Sequence, residues 1–270
     1  MSDSATNYII SGGAEGKSRL NLLASVLQPY TLSLLQQAGL HEGSYFLDNG
    51  CGGGNVALMV AAMVGEKGHV TGLDFDANIL ALAKEDADAQ GLKNISFHTL
   101  GANHVTYNAE FDIVYARFLL SHLADPLDAL LRMRHSAKHS GVVVAEDVQF
   151  SGHFSYPVNA AFNQYLDWYA QAAKLKGADA ETGARLFTLF NQAGISDIRY
   201  DVIQPVFNTG DGKWMAYITL DRIKDALVQT GIATVTQVTD VLHKLEAFTK
   251  DTGTIISLPR IHRVWGIRKD

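Results

Sequence analysis

A doubly wound α/β fold follows from three features of this 270-residue sequence. Short apolar runs alternate with helix-period segments from Tyr45 to Ala145. A glycine-dense turn ends the first run, and an acid ends the second. Alternating strands and helices make βαβ units, because each crossover must cover one face of a parallel sheet.

Ser18 to Ala38 carries Leu20, Leu23, Ala24, Leu27, Leu34 and Ala38 at mostly three- and four-residue spacing, the stripe of an amphipathic helix that Pro29 should kink or split and Gly39 should stop. Strand candidates follow at Tyr45–Leu47, His69–Leu73, Ile95–His98, Phe111–Tyr115 and Val142–Ala145. Helical patterns lie between them from Asn55, from Ala77 to Gln90 and after Pro126. Beyond Glu146 the rhythm changes. Helical stretches at Val158–Leu175 and Glu181–Ala193 precede a strand at Ile198–Ile203, and two more, Leu220–Thr230 and Thr236–Thr249, precede a last strand at Ile261–Ile267. With no repeat or Pro-rich linker, the insertions read as a cap on one domain spanning 1–270. Its parts are an N-terminal lid and helix (1–38), a cofactor-binding core (40–150), cap segments (151–195 and 208–252) and the last two strands (196–207 and 255–268).

Composition narrows the function. Lys and Arg total 22 against 28 Asp and Glu, a net charge of −6 with no compensating basic stripe, which disfavours nucleic acid as a partner. One cysteine, Cys51, allows no intramolecular disulfide. The first thirty residues lack the basic start and apolar core of a leader, and no run of about 18 apolar residues suggests a membrane span. A cytoplasmic enzyme is the expectation, and its edge helices are compatible with a homodimer.

Phe46-Leu47-Asp48-Asn49-Gly50-Cys51-Gly52-Gly53-Gly54-Asn55 runs from a strand end through a glycine turn into a helix. Missing side chains let the backbone approach a ligand at the carboxyl end of the strand, where open α/β sheets bind cofactors. A dinucleotide fingerprint needs glycine at the sixth position of G-x-G-x-x-G; counting from Gly50, that place holds Asn55. The spacing is instead G-x-G-x-G, preceded by Asp48. About twenty residues on, Asp74 closes the next strand, where a carboxylate can accept hydrogen bonds from both ribose hydroxyls. The bland alternative is a tight turn with Asp74 capping the next helix; for Asp76, capping is the preferred role.

Asp48 to Gly54 with Asp74, then Phe111-Asp112-Ile113-Val114 leading to Leu119, His122 and Leu123, resembles the class I S-adenosylmethionine (SAM) dependent methyltransferases, especially the ubiquinone/menaquinone C-methyltransferase-like group. The resemblance is strong over Leu40 to Gln149. It implies a seven-stranded, mostly parallel Rossmann-like sheet with the last strand antiparallel. It also implies Gly50, Gly52 and Gly54 beneath the methionine part of SAM, Asp74 on its ribose, and Asp48 and Phe75 in the same cofactor set. The family often has an acid after the third strand for the adenine amino group; here Gly101 stands there, so adenine recognition passes to Gly101, Ala102 and Asn103.

An acceptor would sit near the strand ends, held in line with the methyl group in a dry pocket. Arg117 projects over the cofactor or pairs with Asp48 or Glu146. His122 either touches SAM or substrate as a catalytic group or supports a loop-to-helix corner. Asp147 is the preferred base, with Gln149 beside it toward the acceptor. Tyr165 and Tyr169, at i, i+4 in the cap, line either the core or a pocket for a flat apolar acceptor. Tyr8 and Arg19, flanking hinge glycines Gly12, Gly13 and Gly16, are expected to close over the methionine carboxylate. His153 and the other histidines lack metal-ligand spacing, and no metal is expected. A NAD(P)-dependent oxidoreductase and a non-catalytic SAM-binding module are the competing readings.

Overall fold

The computed structural model describes residues 13–269. Its central sheet has seven strands, β1 (Tyr45–Asn49), β2 (His69–Asp74), β3 (Ile95–Thr99), β4 (Phe111–Arg117), β5 (Ala137–Gln149), β7 (Ser196–Ile203) and β10 (Arg260–Ile267), in the order β3-β2-β1-β4-β5-β10-β7. The first five pair in parallel, while β10 runs antiparallel to both β5 and β7. The chain reverses direction across the sheet between β3 and β4, on either side of β1, and leaves a crevice at the carboxyl ends of these strands.

Period-2 alternation divides the buried residues between two layers. Phe46, Tyr115, Val144 and Trp265 face α1 (Gly13–Gln37) and α2 (Asn55–Val64). Leu47, Val114, Val143 and Val264 face α4 (Pro126–Ser136) and α6 (Thr182–Gln192). α3 (Ala77–Ala89) covers the β3 edge. Asp76 is its N-cap, the side chain accepting from the Asn78 amide at 2.9 Å, the role expected of it.

α1 is continuous through Pro29 rather than split there. Its inward residues Leu27, Thr31, Leu34 and Leu35 are all buried, and this tertiary packing outweighs the missing Pro29 hydrogen bond. The Arg263 guanidinium fastens α1 to the far side of the sheet, donating to the Tyr30 carbonyl at 2.8 Å while it pairs with Asp201 across β10 and β7.

A second layer of helices, α5 (Ala160–Leu175), α7 (Met215–Gln229) and α8 (Val235–Lys250), buries Phe162, Trp168, Leu220, Ile223 and Leu245 in a core of its own. α6, grouped with the cap by periodicity, instead packs Leu186, Leu189 and Phe190 on the sheet as the crossover between β5 and β7. A small antiparallel sheet of β6 (Ser155–Tyr156), β9 (Ile255–Ser257) and β8 (Val206–Phe207), in the order β6-β9-β8, joins cap to core. Strands of two and three residues carry too little pattern to be read in advance. No helix of the described residues is long and apolar enough to cross a membrane.

Candidate active site

A cavity of about 780 Å³ lies over the carboxyl ends of β1 to β5, floored by the sheet and roofed by α1, α5 and α7. That volume falls in the range of small-molecule sites, roughly 300–1,000 Å³.

The glycine turn forms one wall. Gly50 and Cys51 donate their amides to the Leu73 carbonyl, both at 2.8 Å, and the Gly52 amide donates to Asp74 Oδ2 at 2.9 Å. Asp74 Oδ1 accepts from the Asp76 amide at 3.0 Å. Gly50 has φ +75°, so the backbone favours glycine, while a Cβ there would stand 2.8 Å from Leu119 Cδ1, a side-chain tip that could shift aside. Gly52 lines the cavity as well, but Gly54 does not. Gly54 heads α2 at φ +78°, and its missing Cβ would meet Ala83 Cβ at 3.0 Å; the residue admits α3 close to the turn rather than a ligand.

Asp48 sits at the floor, almost wholly buried, and its Oδ2 has no hydrogen-bond partner among the described residues. Burial pushes its carboxyl up to about 7; the Arg117 guanidinium pulls the other way and Asp74 adds to the rise. Asp74 is raised by burial too, opposed by the amides that it accepts. Arg117 lines the cavity and donates to Thr31 Oγ1 at 3.1 Å; Thr31 in turn donates to Glu146 Oε1 at 2.9 Å, and Tyr115 donates to the same oxygen. The expected pairing of Arg117 with Glu146 is thus relayed through Thr31.

Asp74, Phe75, Gly101, Ala102 and Asn103 come together along the β2 and β3 ends of the cavity. Phe75 is half exposed, and Asn103 Nδ2 donates to the Asp125 carbonyl at 3.3 Å. Arg19 reaches the cavity from α1 and donates its Nε to Thr219 Oγ1 of α7 at 3.2 Å. Tyr8 lies outside the described residues.

Two expected acceptor-side residues are elsewhere. Asp147 is fully buried and does not line the cavity: Oδ2 accepts from the Ser121 amide at 2.9 Å, and Oδ1 from its neighbour's amide, Val148, at 2.8 Å. Strand alternation is the reason, since it is Val148, one residue on, that lines the cavity. Burial raises the Asp147 carboxyl to about 6. Gln149 also misses the cavity; its Oε1 accepts from Arg260 Nη1 at 3.3 Å and lies 3.2 Å from His262 Nε2, on the antiparallel neighbour β10. His122 does reach the cavity, at the end of the short Leu120–His122 turn that Asp147 holds through Ser121. Burial holds its imidazole near about 4, so the ring is neutral at ordinary pH.

The roof is aromatic. Tyr165 and Tyr169 line it with two residues that sequence reasoning did not place there, Phe150 and His153. Phe150 stacks on Tyr169 with centroids 4.1 Å apart and planes 14° from parallel, and meets His153 edge-on at 4.5 Å. Both follow the end of β5 within four residues, so the rule that strand ends line such sites could have found them. Met215 and Thr219 of α7 also line the cavity, and no local signal marks them. Among the described residues no group of three or more His, Cys, Asp or Glu could hold a metal ion.

Residues 40–194, more than half of the chain, match a family model described as a methyltransferase domain. The chain belongs to that family. Over 174 residues the methyltransferase is 28% identical to the demethylmenaquinone methyltransferase of Listeria monocytogenes, an alignment covering 60% of this chain and 73% of that one. Among solved structures it is similar to the YcgJ protein of Bacillus subtilis, with 16% identity, a TM-score of 0.59, and coverage of 89% of this chain and 99% of that one. The Haemonchus contortus phosphoethanolamine N-methyltransferase 2, solved with phosphomonomethylethanolamine and S-adenosylhomocysteine, superposes with a TM-score of 0.58 at 15% identity, over 92% of this chain and 56% of that one. The chain is therefore a class I SAM-dependent methyltransferase, and its cofactor is SAM. The oxidoreductase and non-catalytic readings are set aside. The site suits that cofactor: an orphaned buried carboxylate oxygen on Asp48 meets a glycine turn whose left-handed backbone at Gly50 disfavours any side chain.

Proposed function

We propose that this methyltransferase acts on a flat, largely apolar aromatic that carries a hydroxyl group. The observation that carries the reading is the Phe150, Tyr165 and Tyr169 roof, which shares one cavity with the glycine turn and so offers ring faces to the acceptor on the side away from the sheet. The name of the Listeria relative, whose acceptor is a demethylated menaquinone, agrees with the flat apolar ring.

SAM supplies a methyl group on a positively charged sulfonium. In this reading Gly50 and Gly52 seat its methionine part, Asp74 accepts from its ribose hydroxyls, and Gly101, Ala102 and Asn103 border its adenine. Asp48, buried with one oxygen unpaired, offers the cofactor's positive charge a negative partner of low solvation. Arg19, held by Thr219, closes the site from α1 and excludes water. Asp147 acts indirectly, fixing Ser121 so that neutral His122 keeps its place on the wall.

The test is transfer of labelled methyl from SAM to 1,4-dihydroxynaphthalene kept reduced, with ethanolamine as the aliphatic control. Labelled naphthalene product is the expected result. Label in ethanolamine alone would overturn the acceptor class while leaving the cofactor untouched.

A further inference from the structure

The roof holds a base of definite tautomer. His153 Nδ1 lies 2.8 Å from the Phe150 carbonyl oxygen, which can only accept, so Nδ1 carries the hydrogen and Nε2 the lone pair. The ring is clamped edge-on between Phe150, at 4.5 Å, and Phe162, at 6.0 Å, and cannot turn over without breaking both contacts and the hydrogen bond. It lines the cavity beside the aromatic roof, and among the described residues nothing is bonded to Nε2. Of the cavity's other candidates, Asp48 and Asp74 lie on the cofactor wall, His122 ends the Leu120–His122 turn on the strand-end wall and not in the aromatic roof, and Asp147 lies outside the cavity.

We infer that His153 is the catalytic base of this enzyme, its Nε2 receiving the proton of the acceptor hydroxyl during methyl transfer; this rests on the acceptor class proposed above. The acceptor oxygen gains the methyl carbon from SAM, whose sulfur keeps the electron pair of the broken C–S bond. The O–H bond breaks, its pair stays on oxygen, and the proton passes to Nε2 and then to water. One positive charge leaves the sulfur as another arises on the imidazole, so the cavity's total charge is unchanged through the step. Burial holds the free imidazole at about 4, so the ring is neutral with its lone pair available but is a weak base on its own. The unchanged total charge of the step is what offsets that weakness.

The experiment measures turnover of 1,4-dihydroxynaphthalene with methyl-labelled SAM, and SAM affinity by calorimetry, for the wild type, His153→Ala and His153→Gln, with and without added imidazole. The expected result is unchanged SAM affinity in both variants and a kcat lower by about 10²–10⁴-fold, the usual contribution of a positioned base. Imidazole should restore part of the rate in His153→Ala and none in His153→Gln, where the amide fills the space. Turnover near the wild-type value, a loss that imidazole does not relieve, or loss of SAM binding in both variants would overturn the assignment, the last two marking a structural role. A wild type that binds SAM but does not label the naphthalene would overturn the acceptor class and this inference with it.

Discussion

The Gly52 amide donates to Asp74 Oδ2 at 2.9 Å, tying the turn after β1 to the acid that ends β2. The acid expected to hold a ribose thus also braces the glycine wall. Asp74→Ala should weaken SAM binding by roughly 1–3 kcal/mol, as an unpaired amide and unpaired ribose hydroxyls are left behind. Calorimetric titration with SAM checks this, and unchanged affinity would remove Asp74 from the cofactor site.

Asp48 should make the cofactor-free protein less stable as pH rises. Its carboxyl ordinarily ionises at 3.8 but near about 7 when folded, so between those values the folded chain keeps a proton that the unfolded chain has lost. Stability therefore falls with rising pH across that window. Asp147, raised to about 6, adds to the lower part of it. Asp48→Asn should raise the melting temperature of the cofactor-free protein more at pH 8 than at pH 5 and weaken SAM binding at both. An equal change in melting temperature at the two pH values would contradict the assignment.

Gly50→Ala places a methyl group against Leu119 and forces a left-handed backbone on alanine. The expected cost is about 1–3 kcal/mol of stability, together with loss of most SAM affinity because the turn that lines the cavity must shift to relieve the strained backbone. Thermal melts and titration test it, whereas the same change at Gly177, φ +73° with no atom within 4 Å of the added Cβ, should cost stability alone.

Phe150→Leu keeps an apolar side chain but loses the stack on Tyr169. A rise in acceptor KM with unchanged SAM affinity is expected, and a stability loss of about 0.5–1.5 kcal/mol from the missing aromatic pair. A change in SAM affinity of similar size would mean that the roof serves the cofactor instead.

Asp147→Ala should destabilise the fold by about 1–3 kcal/mol by stranding the Ser121 amide, while Asp147→Asn, which keeps one acceptor oxygen, should hold kcat within a few-fold of wild type. A large kcat loss in the asparagine variant at full SAM occupancy would return Asp147 to the chemistry.

The elements legible in advance were those with a strong local cause. β1 to β4 end within two residues of the expected positions, helped at β1 to β3 by the turn residue or acid that closes the run, and α3 begins after the cap at Asp76. β5 is longer than Val142–Ala145 on both sides, since its flanks pair with β4 and β10 whatever their hydropathy. The expected antiparallel last strand is β10, and its place between β5 and β7 comes from pairing between segments far apart in the chain.

Within the site, the same boundary separates Asp74 from Asp147. Both close strands and both looked functional; Asp74 opens on the cavity and Asp147 turns away from it, a difference of one step in strand parity.

The sequence by itself determined the βα alternation and the glycine turn with its acids, because these rest on period, turn chemistry and close backbone approach, which act over a few residues; the cofactor class came from the family resemblance those motifs carry. The tertiary structure decided which side chains meet: Arg19 with Thr219, Phe150 with Tyr169, and His153 with Phe162. Each brings together groups whose nearness depends on how distant parts of the chain pack. Packing is decided by the sum of many small apolar contacts, and no short stretch of sequence carries that sum.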